Sequence, residues 1–481
     1  MFEWFNQLVN DANGIIWNVL VYLLVGVGLF FTIATKGLQF RYFGHLWRLL
    51  KISNQGGKDG GISSFEALMT SLAARVGTGN LAGVAIAIAS GGPGAVFWMW
   101  VTALVGMNTS FIESTLAQAY KEPHKDNVYR GGHAYYIAKG LHQKWLAILF
   151  SVCLLIAFGL AFNGVQSNTI ALAFHESFGL PTWLVGVGLV VITAPIIFGG
   201  MKAVARAAGL IVPMMAILYV ILAVYVIVTN LPLFPHAIAM IFKSAFGIEQ
   251  VAGGVAGWAV KDAMMNGIRR GLFSNEAGMG SAPNAAATAK SYPDHPAVQG
   301  FMQMLGVFID TLVICTATAV IVILSGVTEH HTEAKGIQLM QMAMSHHVGG
   351  WGGLFVALAI FFFAFTSIIA NYSYGESNIE FITGEKTSKW GILALRIALL
   401  AMVMVGAVAD LPAIWNFADL SMGLMAMINL IAIVWLSPVA FRIIKDYERQ
   451  VKSGKPLGEI KFDPDNFPKL KHEANRDAWT D

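Results

Sequence analysis

Charge is scarce in this chain. Of 481 residues only 12% are Asp, Glu, Lys or Arg, about half the share found in soluble domains. With 56% hydrophobic residues, that deficit excludes a large soluble enzyme. The net charge of +3 says little by itself, and no nucleic-acid partner is expected. Cysteine is nearly absent. Cys153 and Cys315 both lie inside apolar runs, so they read as small core residues rather than a disulfide or a metal pair. The start of the chain lacks a basic region; it carries Glu3 and Asp11. Its first apolar run, Gly14 to Thr35, is too long for a signal peptide and reads as a retained span. A membrane enzyme would want His, Asp or Glu clustered at one membrane face. No such cluster is visible, so no enzymatic chemistry is expected.

Long apolar runs are abundant instead. Runs of 18 or more recur along nearly the whole length. The spans fall at 14–35, 64–90, 94–120, 145–175, 182–199, 206–229, 253–288, 297–325, 351–374, 389–408 and 412–437. A segment at 235–247 is expected along the surface, 326–349 as a polar loop, and 441–481 as a solvated tail.

Two of the eleven spans carry interruptions. Gly77-Thr78-Gly79-Asn80 sets two glycines within three residues, and each costs about 1 kcal/mol against alanine in a helix. Gly271-Leu-Phe-Ser-Asn-Glu-Ala-Gly-Met-Gly-Ser-Ala-Pro283 repeats the pattern and adds a proline, which cannot continue a helix. Broken helices in lipid free peptide groups that only protein or ligand can satisfy. Two of them in matching places point to a transporter built from inverted repeats, with the site at the breaks.

Basic residues support the drawing. One set of alternate loops carries Lys36, Arg41, Arg48, Lys51, Lys58, Lys121, Lys125, Arg130, Lys139, Lys144, Lys202, Arg206, Lys290, Lys386, Lys389 and Arg396. The opposite set carries only Lys243 and Lys335. By the positive-inside rule the N-terminus is outside and the C-terminus cytoplasmic. The expected fold is an all-α polytopic membrane protein of eleven transmembrane helices: one extra N-terminal helix, then a five-plus-five inverted repeat. Its divisions are 1–63, 64–229, 230–252, 253–437 and 438–481.

The stretch Pro93-Gly-Ala-Val-Phe-Trp-Met-Trp-Val-Thr-Ala-Leu-Val-Gly-Met-Asn-Thr-Ser-Phe-Ile-Glu113, together with both interrupted stretches, resembles the alanine/glycine:cation symporter family over nearly the whole chain. The resemblance implies a leucine-transporter-type fold and a sodium-coupled importer of small neutral amino acids, alanine or glycine, in the cell membrane. A half-helix starting near Leu81 would aim its N-terminus at the substrate carboxylate, through Thr78, Gly79 and Asn80. Carbonyls at Phe273 and Ser274 would take the ammonium, with Asn275 adding a side chain and Gln166 a wall contact. Asn163, Asn168, Asn371 and Asn378 are weaker wall or pathway candidates. In the related fold a hydroxyl pair binds sodium with backbone carbonyls of the first broken helix. Matched here, these are Thr366 and Ser367 with Ala73, Val76 and a carbonyl near Phe363.

Other candidates come from the residues alone. Ionisable groups inside spans are functional suspects: Arg75, Glu113, Lys261, Asp262, Arg269, Arg270, Glu276 and Asp310. Arg75, beside the first break, is expected to pair with Glu113 or Glu276 as a gate or a brace. Pocket size would be set by Phe162, Phe273, Trp415 or Phe417. His330, His331, His346 and His347 read as solvated loop residues rather than zinc ligands. A proton-coupled transporter of the same fold is the near alternative, with Glu276 as the proton site; a channel is the distant one.

Overall fold

The computed structural model describes residues 2–57, 61–124, 128–248, 256–330, 336–384 and 388–479. Lys58, Lys125, Lys335, Lys386, His331, the end of the 230–252 connector and the first residues of the 253–288 span lie outside them.

The chain is almost entirely helical: α1 (Phe2–Ala34), α2 (Phe43–Ile52), α3 (Ser64–Arg75), α4 (Gly79–Gly91), α5 (Gly94–Ala119), α6 (His133–Gly140), α7 (Lys144–Phe178), α8 (Thr182–Phe198), α9 (Gly200–Thr229), α10 (Phe234–Ala245), α11 (Ala256–Asn275), α12 (Ala282–Ala287), α13 (Pro296–Ser325), α14 (Ile337–Val348), α15 (Trp351–Thr383), α16 (Ser388–Val408) and α17 (Leu411–Lys452). Two short strand pairs, Ile62–Ser63 with Ala289–Lys290 and Glu122–His124 with Val128–Arg130, fasten loops at one end.

Among the described residues eight helices are long and apolar enough to cross a membrane, or nine if α3 and α4, bent by 50°, form one span. The protein is therefore a multi-pass membrane protein. Two expected spans miss that test. The helix α8 has 17 residues, and α11 carries Lys261, Asp262, Arg269 and Arg270 on one segment. Lipid-facing stripes are plain: Leu210, Met214, Ile217, Ile221 and Val228 of α9 are all more than half exposed. Their spacing of three, four and seven residues marks one helix face.

The packing falls into two groups. The helix α5 lies against α11 and α13, and α7 against α15 and α16. The helix α1 braces α17 and α5: Trp17 is fully buried and its indole donates to Asp419 O at 3.3 Å, so it is a core residue. Local sequence explains where α3 begins. Ser63 and Glu66 form a reciprocal capping box, with Glu66 Oε2 accepting from Ser63 N at 2.8 Å.

Three expectations are corrected. The 326–349 region is not a solvated loop. Its second part is α14, which buries Ile337, Leu339, Met340, Ala343 and Met344 while His346 stays exposed. The polar residues there mask a helix buried along one face only. The span 412–437 runs on to Lys452 as α17. The tail is not solvated either. Past Lys452 it folds back, burying Ile460, Phe462, Phe467, Leu470 and Trp479. Phe462 packs against His295, Phe467 and Trp479. The Lys121 ammonium sits 4.1 Å from both the Tyr129 and Trp479 rings.

Removing the Phe462 ring takes out the centre of that cluster, which costs about 3–5 kcal/mol for a buried Phe. Phe462→Ala is expected to speed tryptic cleavage at Lys469 and Lys471 at least about tenfold in the solubilised protein. Peptide mapping checks it; cleavage confined to the membrane helices would contradict the docked tail.

Candidate functional site

Both interruptions are real breaks, and each is built by side chains that intercept backbone amides. In an unbroken helix Gly77 N and Thr78 N would bond back to Ala73 and Ala74. Instead Gly77 N donates to Asn80 Oδ1 at 2.9 Å, and Thr78 N donates to Gln166 Oε1 at 3.0 Å. A Cβ on Gly77 would stand 2.8 Å from Gln166 Oε1, so only glycine allows this approach. The expected free amides at Thr78 and Asn80 are thus partly corrected: Thr78 N is occupied, and Asn80 N donates to Gly77 O at 3.3 Å. Among the described residues Thr78 Oγ1 is buried without a hydrogen-bond partner.

The second break repeats the device. Ala277 N and Gly278 N would close the turn onto Phe273 and Ser274. Ala277 N donates instead to Asn275 Oδ1 at 3.0 Å, and Gly278 N to Glu113 Oε1 at 3.2 Å. The carbonyls of Phe273 and Ser274 therefore end α11 without those donors. Asn429 Nδ2 bridges Glu113 Oε2 at 2.7 Å and Gly278 O at 2.8 Å. Glu276 adopts φ 56°, a left-handed conformation that costs a non-glycine residue on the order of 1 kcal/mol, and accepts from Ser281 Oγ at 2.6 Å. Among the described residues Asn275 Nδ2 and Glu276 Oε1 are buried without hydrogen-bond partners.

The two breaks face each other. A Cβ on Gly79 would meet Phe273 Cδ1 at 3.0 Å and Ser274 Cα at 3.1 Å. Phe273 stacks on Phe162, ring centroids 4.5 Å apart, and its other neighbour is Trp415 at 4.7 Å. The Arg270 guanidinium lies 4.6 Å over Trp415 and is ion-paired with Asp419. Trp415, Arg270 and Asp419 line a cleft of about 360 Å³ together with Asn266, Pro412 and Asn416. Phe417, half-buried and two residues along α17 from Trp415, points from the other side of the helix.

A second cluster of oxygens lies on the first break. Ser367 Oγ, on α15, donates to Ala73 O at 2.8 Å and lies 3.5 Å from Val76 O and 3.0 Å from Phe363 O. Thr366 Oγ1 bonds Phe363 O at 2.9 Å. Five residues named from sequence thus converge, all with hard oxygen atoms that suit an alkali cation.

Other named residues have structural partners. Asn163 caps the π-type segment Leu155–Ala161 through Phe158 O and Gly159 O, and Asn371 donates to Asn163. Asn168 holds Gly406 O and Ala409 O. Asn378 bonds Asn284. His347 is fixed on Ile321 O at 2.9 Å. Arg75 corrects its expectation. Among the described residues its guanidinium makes no ion pair; it donates to Gln303 O at 3.3 Å and Ser110 Oγ at 3.2 Å. The carboxylates of Glu113 and Glu276 are committed to the second break instead.

One residue was singled out only as an intramembrane acid. Asp310 is fully buried between the breaks, accepting from Asn80 Nδ2 at 2.7 Å and from Ser274 Oγ at 2.8 Å. Its charge was visible in sequence; its position was not, because it depends on the π-type segment Phe308–Cys315.

With this geometry in view, comparison with known proteins is decisive. The profile of the sodium:alanine symporter family matches residues 2–461. The chain belongs to the sodium:alanine symporter family. It is similar to the amino-acid carrier protein AlsT of Bacillus subtilis, 51% identical over 100% of this chain and 99% of the relative. It is also similar to the probable sodium/glutamine symporter GlnT of Bacillus subtilis, 48% identical over 93% of this chain and 92% of that one. The solved structure of MhsT in complex with L-phenylalanine superposes with a TM-score of 0.53 at 12% identity, covering 79% of this chain and 97% of MhsT. The family member therefore has a leucine-transporter-type fold, and it is a transport protein rather than an enzyme.

The Arg270–Asp419 pair yields a prediction. Breaking one side leaves a buried charge, which costs about 3–5 kcal/mol, whereas replacing both with apolar groups is often close to neutral. Arg270→Met and Asp419→Leu singly should each lower the thermal unfolding midpoint more than the double variant does. A double variant as unstable as the sum of the singles would contradict the pairing.

Proposed function

We propose that this protein is a sodium-coupled secondary active symporter that imports small neutral amino acids, alanine and glycine, by alternating access. One observation carries the reading: two broken helices meet at Gly79 and Ser274, and a five-residue oxygen cluster sits on the first of them. Sodium is a co-transported substrate here. Ala73 O, Val76 O and Phe363 O with the Thr366 and Ser367 hydroxyls would hold it. Bound there, it ties α15 to the bend of α3, which steadies the break where the amino acid docks.

Two polar atoms at the breaks that lack partners among the described residues support an amino-acid site there. Thr78 Oγ1 and Asn275 Nδ2 are donors for a carboxylate. The carbonyls of Phe273 and Ser274 accept from an ammonium. Gly79 keeps the backbone close, Asn80 and Gln166 hold the first break open, and the Phe162–Phe273–Trp415 pile leaves little room for a side chain. That pile favours alanine and glycine over a glutamine-sized substrate. Glu113 and Glu276 brace the second break, and Arg75 braces α3 against α5 and α13.

The eleven spans are α1, the α3–α4 pair, α5, α7, α8, α9, the α11–α12 pair, α13, α15, α16 and α17, arranged as inverted repeats over 64–229 and 253–437. The N-terminus lies outside and the C-terminus in the cytoplasm. The α5–α11–α13 group then rocks against the α7–α15–α16 group, with Arg270 and Asp419 closing the outer side. The membrane potential contributes about 2.3 kcal/mol per sodium charge per 100 mV. The proton-coupled alternative draws on the unpartnered Glu276 Oε1.

Uptake of labelled L-alanine into proteoliposomes should collapse when sodium is replaced by choline at fixed pH. Uptake that ignores the swap would favour protons. Ser367→Ala should raise the half-saturating sodium concentration about tenfold or more. Gln166→Ala should raise the alanine KM about tenfold, since it strips the acceptor from Thr78 N and leaves that amide unpaired.

A further inference from the structure

The pocket contains a buried carboxylate that the transport reading does not use. Asp310 makes no ion pair among the described residues. Its Oδ1 accepts from Asn80 Nδ2 at 2.7 Å; its Oδ2 accepts from Ser274 Oγ at 2.8 Å and from Thr311 Oγ1 at 2.7 Å. Asn80 belongs to the first broken helix and Ser274 to the second. Cys315 lies behind the same two groups, 3.3 Å from Asn80 Nδ2 and 3.1 Å from Ser274 Oγ.

Three donors converge on the two carboxyl oxygens of Asp310 and none of its contacts asks it to donate, the surroundings of an ionised carboxylate, which only accepts hydrogen bonds. That fact fixes the polarity of everything it touches. Asn80 must turn its NH₂ toward Asp310, so its oxygen faces the other way, where it meets Gly77 N at 2.9 Å. An amide turned over would set NH₂ against that N–H. Ser274 must spend its one proton on Asp310 Oδ2, so only lone pairs remain on its oxygen. Beside it stand the Phe273 and Ser274 carbonyls, also acceptors.

We propose that Asp310 is a positioning residue that ties the Asn80 amide of the first break and fixes the Ser274 hydroxyl of the second as an acceptor, which together with the Phe273 and Ser274 carbonyls selects an ammonium. It acts through Asn80 and Ser274 rather than by touching the substrate. The inference rests on the reading of this pocket as an amino-acid site. Asparagine at 310 would present a donor as well as an acceptor. The Ser274 hydroxyl could then reverse, and the pocket would lose its preference for a cationic group.

The test compares L-alanine with L-lactate, which carries a hydroxyl in place of the ammonium. Full-length wild type, Asp310→Asn and Asp310→Glu are reconstituted, and lactate is used to compete against labelled alanine. For Asp310→Asn the alanine KM should rise at least about tenfold, as expected when charge-assisted hydrogen bonds are lost. The alanine-over-lactate preference should narrow by a similar factor, a change that loss of stability alone would not produce. Asp310→Glu, which keeps an acceptor-only group, should recover much of the preference. Should Asp310→Asn fail to fold by gel filtration, Ser274→Ala carries the same comparison. It removes the hydroxyl that Asp310 polarises, and the preference should narrow again. An unchanged preference in a folded, alanine-transporting Asp310→Asn or Ser274→Ala protein overturns the role of Asp310 alone. Absence of sodium-driven alanine uptake by the wild type overturns the pocket reading and this inference together.

Discussion

Peptide N–H groups diverted onto side-chain oxygens hold this structure open at its centre. Asn80 and Gln166 take the amides that would continue α3; Asn275 and Glu113 take those that would continue α11. A peptide group left unpaired in the bilayer interior costs several kcal/mol. These interceptions are made by protein, and each break recruits one other helix: α7 through Gln166 at the first, α5 through Glu113 at the second. The broken segments are not loose ends. They are cross-braced by the very bonds that interrupt them.

Much of this was legible, and the legible part was local. Gly77 and Gly79 announce the first break, and Gly278, Gly280 and Pro283 the second, because these residues change the backbone itself. The Thr366–Ser367 pair was placed by resemblance, and the geometry brings it to Ala73, Val76 and Phe363. What stayed hidden was partnership at a distance. Glu113 and Gly278 are 165 positions apart and Asn80 and Asp310 are 230 apart, so nothing in the order of residues pairs them. Arg75 was assigned a carboxylate on proximity to the break, but its guanidinium donates to Gln303 O and Ser110 Oγ instead. The 326–349 region failed for another reason. A helix buried on one side and wet on the other averages to a polar stretch when hydropathy is summed along it. The tail failed likewise, its few aromatics diluted among charges.

Side-chain packing separates two kinds of contact. Aromatic and ionic contacts of Phe162, Phe273, Trp415, Arg270 and Asp419 pack beside the second break. Aromatic contacts of Phe462, Phe467 and Trp479 fasten the opposite end of the bundle. The first set joins α7 and α17 to α11, the helix that ends at the second break. The second ties the tail to loops that follow α5 and α12, through Lys121 and the bond from Phe462 N to Asp294 O at 2.9 Å.

Both ends meet in α17. With 42 residues it is about 63 Å long, roughly twice the hydrocarbon thickness of a bilayer. Trp415 and Asp419 sit near its start, Asp446 and Tyr447 near its finish, the latter pair against His295. Such a rod is a lever. Tilting it by about 10° about its midpoint would carry its tips about 5 Å in opposite senses, so the two sets of contacts cannot shift independently. Pro438, set within the rod, marks where that leverage would be lost if the helix bent instead of pivoting.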